Sequence, residues 1–148
     1  MNKTRAGVIL LAAIAIAQGQ AVSSARAAEP QWNQKEVIGL AERLVRVLDE
    51  TAAAAREAPP QATVLQQRTR DDAANGLRQV RELAGDYVAK LKKGWDRDMT
   101  ESYLRNVKKT FKDTRKLARD AVPTEKVDAK LRETDEILEQ LSRYYPNA

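Results

Sequence analysis

Four stretches of apolar residues recur at the three- and four-residue spacing of an α-helix, and each of the first three stops at a helix breaker. This spacing places the apolar side chains on one face of each helix, which then needs partners to cover it. Proline ends a helix because it lacks the N–H donor that the next turn requires. No stretch shows the alternating pattern of a strand. The strongly periodic stretches are residues 33–57, 77–91, 98–121 and 125–145, and the breakers are Pro59 with Pro60, Gly94 and Pro123.

The starts of three helices carry a capping signal, in which Asn, Thr or Asp is followed three residues later by Glu or Gln. The first side chain accepts a hydrogen bond from a free N–H group of the first turn, and the second can return one. The pairs are Asn33 with Glu36, Thr63 with Gln66, and Asp98 with Glu101.

Four amphipathic helices with short connections predict an all-α fold, namely an up-down-up-down antiparallel four-helix bundle. Residues 61–76 are polar, with Asp71-Asp72 and Asn75-Gly76, and could be loop or helix. The alternative is therefore a three-helix bundle with a polar arm at residues 61–76. The spacing predicts a core that contains Leu44, Leu83, Val107, Phe111, Leu131 and Leu138.

The N-terminal residues have the order of a secretory signal. Lys3 and Arg5 precede an apolar run at residues 7–17, and Ala25-Arg26-Ala27 forms an A-x-A cleavage site. We expect residues 1–27 to be a signal peptide, cleaved after Ala27, and residues 28–148 to be the helical bundle domain. The protein would then be exported, as a periplasmic or secreted protein. The apolar run is shorter than the roughly 20 residues that span a bilayer, so we expect no transmembrane span in the mature chain.

Composition excludes several kinds of site, because the chain contains neither Cys nor His. Disulfides, thiol redox chemistry, haem ligation, Glu-x-x-His di-iron sites and Ser-His-Asp or Cys-His catalysis all need one of these residues. Zinc would have only carboxylate ligands. No spacing of Asp and Glu nominates a catalytic pair or a calcium loop. We therefore expect no catalytic residue, no metal, no cofactor and no enzymatic activity.

A stripe of basic residues at three- and four-residue spacing marks the third helix. The whole chain has 26 basic and 21 acidic residues, and loss of Lys3, Arg5 and Arg26 with the signal would lower the net charge from +5 to +2. The stripe lies opposite the apolar face, so we expect it to point outward. It is either an ordinary solvated face or a surface for an anionic protein, polymer or membrane. Nucleic acid is not expected as a partner of an exported chain. The stripe consists of Arg105, Lys108, Lys112, Arg115 and Arg119.

The aromatic residues lie near helix starts and ends that an antiparallel bundle brings to one end. Such an end is either sealed by its rings or forms a ligand pocket or partner patch. The residues are Trp32, Tyr87, Trp95, Tyr103 and Tyr145.

Two functions follow from these patterns. The first is a non-enzymatic interaction module of the cell envelope that binds an anionic surface or protein partner through its basic face. The alternative is a small-molecule carrier with an apolar pocket between the helices. A carrier should have a cavity lined by Trp32, Trp95 and Tyr103. An interaction module should instead have a filled core and a continuous basic face.

Overall fold

A computed structural model describes residues 30–58 and 63–147, and these residues form four α-helices without a strand. Each helix packs against two others, in the ring order α1, α2, α3, α4 and back to α1. Short connections reverse the chain between successive helices, which confirms the up-down-up-down four-helix bundle. The predicted signal peptide, its cleavage site and the breakers Pro59 and Pro60 lie outside the described residues. The helices are α1 (Gln34–Glu57), α2 (Val64–Lys92), α3 (Arg97–Ala121) and α4 (Glu125–Ser142).

The core is built from positions three and four residues apart on every helix, which is the spacing of coiled-coil packing. On α3 these positions include Leu104, Val107 and Phe111, all buried. Five of the six residues expected in the core are buried. Leu83 is only half-buried, contrary to expectation, because Val80 and Ala84 occupy the centre of the α2 stripe and Leu83 lies at its edge.

The polar segment at residues 64–76 is part of α2, so the alternative of a three-helix bundle with a polar arm is wrong. Thr63 and Gln66 form both bonds of the predicted capping box, each 3.2 Å long. The Arg70 guanidinium donates to the main-chain carbonyls of Ala55 at 2.7 Å and Ala58 at 2.9 Å. The last carbonyls of a helix have no partner within that helix. The polar turns of α2 therefore cap the end of α1.

Two helix boundaries differ from the sequence expectation. The N-cap of α3 is Asp96, whose carboxylate accepts from the Met99 N–H at 3.0 Å, so the helix begins before Asp98. Asp98 instead lies in the first turn, where a negative charge is favourable near the helix N-terminus. At the other end of the chain, α4 ends at Ser142, and Tyr145 follows it in a turn rather than on the helix.

The four interfaces between neighbouring helices, here called seams, are not equally close. A Cβ atom added at Gly76 would lie 2.8 Å from Thr114 Oγ1 and 2.9 Å from Thr114 Cγ2, so α2 and α3 approach too closely there for a larger residue. The backbones of α3 and α4, in contrast, approach each other closely at far fewer positions than any other neighbouring pair. The bundle is therefore tightest between α2 and α3 and most open between α3 and α4.

Two glycines of the same helix test this close approach. Gly85→Ala should raise the free energy of unfolding by about 0.5–1 kcal/mol, because alanine favours the helix and nothing lies within 4 Å of the new Cβ. Gly76→Ala should lower it by about 1–3 kcal/mol, because the methyl group collides with Thr114. Urea unfolding followed by circular dichroism measures both. Equal stabilisation by the two substitutions would contradict the packing at Gly76.

Candidate functional site

The basic stripe lies on the side of α3 that borders the seam between α3 and α4. Arg105, Lys112 and Arg119 are exposed, whereas Lys108 and Arg115 are half-buried. The stripe is therefore mostly exposed, as expected, but it lies beside α4 rather than on the side of α3 opposite the core. The stripe is consequently one wall of a seam rather than a free face.

Ion pairs hold Arg105, Arg115 and Arg119 of the stripe. Arg119 Nε lies 2.9 Å from an Asp128 carboxylate oxygen, and Arg115 pairs with Asp135, so both reach across to α4. Arg105 pairs with Glu101 one turn back on α3. Partly exposed pairs of this kind stabilise a fold by at most about 1 kcal/mol each. The two pairs that cross the seam therefore hold α3 and α4 together only weakly.

A groove of about 790 Å³ lies between α3 and α4. The buried side chains Phe111 and Leu138 form its floor. Its walls contain two carboxylates, Asp135 and Glu139, and six cations. The cations are Arg105, Lys108, Lys109, Lys112, Arg115 and Arg143.

Three cations of this groove have no carboxylate partner among residues 30–58 and 63–147. They are Lys109 and Lys112 on α3, and Arg143 just after α4. Because the helices are antiparallel, the end of α4 comes back beside the first half of α3. Sequence analysis missed Arg143 because it lies on a different helix from the stripe. We call Lys109, Lys112 and Arg143 the unpaired cation cluster.

The five aromatic residues expected to gather do lie at one end of the bundle. The ring of Tyr145 is 5.3 Å from Trp32 in an edge-on arrangement and 6.3 Å from Tyr87, measured between ring centroids. Trp95 packs edge-on against Tyr103 at 5.9 Å. Gly94 has a φ of +84°, a left-handed conformation suited to glycine, and so turns the chain into Trp95.

Buried hydroxyl groups connect three helices at this aromatic end. Thr100 Oγ1 donates to the Asp96 carbonyl at 2.6 Å, and it lies 2.8 Å from the Tyr145 hydroxyl. The Tyr145 hydroxyl is in turn 2.8 Å from that of Tyr87. Because a carbonyl oxygen can only accept, each hydroxyl donates to the next. Tyr87 donates to Tyr145, and Tyr145 donates to Thr100.

Burial raises the pKa of both Tyr87 and Tyr145 above the usual tyrosine value. In the unfolded chain the pKa returns to about 10. The folded state therefore binds these protons more tightly, and its stability is full below pH 10 and falls as the pH rises above it.

Hydrogen bonds of the Gln34 side chain and a cation–π contact of Lys90 cover the same end from outside. Gln34 donates to the carbonyls of Leu91 at 2.7 Å and Trp95 at 3.0 Å, and Trp32 Nε1 donates to Gln34 at 3.1 Å. Lys90 Nζ lies 4.5 Å from the centroid of the Trp95 ring. The three grooves identified on the described surface are lined by other residues, not by Trp32, Trp95 or Tyr103. Rings and hydrogen bonds thus seal the aromatic end.

No group of three Asp or Glu residues in the described ranges is arranged to hold a metal ion. The same ranges contain no helix long and apolar enough to cross a membrane. No protein-family model, curated protein or solved structure gives a significant match to this chain.

The adjacent residues Tyr144 and Tyr145 provide a matched test of the hydroxyl network. Tyr145→Phe removes the middle hydroxyl and leaves the buried Tyr87 hydroxyl without its partner, which should cost about 1–3 kcal/mol of stability. Tyr144→Phe removes only an exposed bond to Glu36 and should cost about 0.5 kcal/mol or less. Denaturant unfolding at neutral pH measures the difference. Equal effects would mean that the network does not support the fold.

Proposed function

We propose that this chain is a non-enzymatic binding module of the cell envelope that holds an anionic partner at the seam between α3 and α4. The observation that carries the proposal is the unpaired cation cluster, in which two helices direct Lys109, Lys112 and Arg143 to one groove. An anion bound there breaks no ion pair within the described residues. The export of the module rests on the signal-like order of residues 1–27.

The electrostatics of the groove favour an anionic partner. Six cations against two carboxylates leave a positive excess in a concave site. Low-dielectric walls concentrate such a field and raise the association rate of partners of opposite charge. The remaining stripe residue, Arg119, extends the positive surface along α3, although Asp128 offsets its charge.

Two carboxylates of the described residues have a pKa below the ordinary value. The pKa of Glu133 is lowered by its bonds to Arg43 and Lys130, and that of Glu42 by its bond to Lys92. These carboxylates lie in surface ion pairs away from the groove. Catalytic carboxylates, in contrast, usually have pKa values shifted by burial in a cleft.

A charge-reversal comparison tests the proposed site. Lys109→Glu/Lys112→Glu/Arg143→Glu should weaken the binding of fluorescently labelled poly-L-glutamate by about tenfold or more. The control, Lys35→Glu/Arg68→Glu/Lys93→Glu, makes the same change in net charge at exposed positions outside the groove and should weaken binding much less. Fluorescence anisotropy measures both affinities.

Salt provides the second arm of this test. Raising the salt concentration from 0.1 to 1 M shortens the Debye length from about 10 to 3 Å and should abolish wild-type binding. Equal losses in the two triple variants would show that net charge alone attracts the probe. Wild-type affinity that is independent of salt would also contradict the proposal.

A further inference from the structure

We infer that the α3–α4 groove binds a single-chain phosphate amphiphile, with its phosphate at the unpaired cation cluster and its acyl chain along Phe111 and Leu138. This inference rests on the proposed function and names the ligand class. It combines the two properties of the groove, a cationic rim and an apolar floor, in one ligand.

The charge of the rim matches a phosphate group. Lys109, Lys112 and Arg143 carry three positive charges without a carboxylate partner among the described residues. A phosphate monoester carries about −1.5 to −2 charges at neutral pH and offers three strong acceptor oxygens. A single carboxylate would neutralise only one of the three cations. Lysine and arginine donors form charge-assisted hydrogen bonds to phosphate oxygens.

The size and shape of the groove fit one extended chain. Its α3 wall runs from Arg105 to Arg115, which is about 15 Å at 1.5 Å per helical residue. Its volume of about 790 Å³ falls within the roughly 300–1,000 Å³ of small-molecule sites. A chain can lie along the seam while its headgroup stays at the rim.

The lining of the groove is mostly apolar. Phe111 and Leu138 contribute carbon atoms at the floor, and the methylene stems of the Lys and Arg side chains contribute the rest. A polar polyanion would leave this carbon surface in water. An acyl chain covers it and so adds a hydrophobic contribution that grows with the area covered.

The wider spacing of the two backbones at this seam leaves room for a chain between the outer side chains. The backbones of α3 and α4 make few close approaches, and the pairs Arg115–Asp135 and Arg119–Asp128 cross the seam at the surface. The α2–α3 seam leaves no room for a chain at Gly76, because this residue lies directly against Thr114.

An acidic helix from a partner protein fits the groove less well. A helix with its side chains is about 10–12 Å wide and docks through large exposed apolar anchors. Phe111 and Leu138 are only 2% and 6% exposed. The large hydrophobic residues that are exposed in the described ranges, Val64, Leu65 and Met99, do not line the groove. A thin, flexible chain needs no such anchor, because it can lie along the methylene stems of the Lys and Arg side chains that line the groove.

Isothermal titration calorimetry with three probes tests the ligand class. Dodecyl phosphate, used below its micelle concentration, should bind about tenfold or more tightly than inorganic phosphate, which lacks the chain. It should also bind more tightly than dodecylphosphocholine, whose headgroup has no net charge. If dodecyl phosphate binds no better than inorganic phosphate, the inference is overturned, while the proposed function stands as long as poly-L-glutamate binds. If no anionic probe binds, both are overturned.

A groove-filling variant tests the position of the chain. Ser142→Trp places a ring in the groove without changing a charge, and it should weaken dodecyl phosphate binding about tenfold while poly-L-glutamate still binds. Ser102→Trp, at an exposed position of α3 outside the groove, should leave both affinities unchanged. Unchanged amphiphile affinity in Ser142→Trp would place the chain elsewhere. Binding to phosphatidylglycerol vesicles without binding to dodecyl phosphate would indicate a membrane-facing surface and overturn the inference that the groove binds the amphiphile.

Discussion

The α3 helix has two neighbours in the bundle, and its backbone approaches α2 at many more positions than α4. Gly76 lets α2 approach until its backbone lies against Thr114, and no larger residue fits at that point. On its other side α3 shares the core with α4 through buried residues such as Phe111 and Leu138, while Arg115 and Arg119 pair with α4 carboxylates nearer the surface. The wider spacing of the α3 and α4 backbones leaves a groove above these buried side chains.

The aromatic end holds the helices together, whereas the α3–α4 seam provides the proposed binding surface. Tyr87, Tyr145 and Thr100 connect three helices through buried hydroxyl groups, and Gln34 ties the start of α1 to the turn between α2 and α3. These contacts fix the relative positions of the helix ends at the aromatic end of the bundle. Arg143, one residue beyond α4, lines the same groove as Lys109 and Lys112.

Local periodicity was enough to predict the four helices, because the three- and four-residue spacing of apolar side chains is read directly from the sequence. The grouping of Trp32, Tyr87, Trp95, Tyr103 and Tyr145 follows from antiparallel topology. The groove could not be predicted, since it depends on the distance between α3 and α4, which local periodicity does not report. Arg143 was missed because it lies after α4, far in sequence from the stripe on α3. The start of α3 was misplaced because Asp98 with Glu101 matches the capping spacing in sequence, whereas the structure uses Asp96 as the N-cap.

We propose that the α3–α4 seam, rather than the aromatic end, is the binding surface. Titration of the ¹⁵N-labelled protein with dodecyl phosphate, followed by amide chemical shifts, distinguishes the two. We expect the shifted amides to cluster in residues 105–115 and 135–143, with little change at Gly76 or Thr51 on the other helices. Shifts centred on Trp32, Trp95 and Tyr103, with residues 105–115 unchanged, would contradict it.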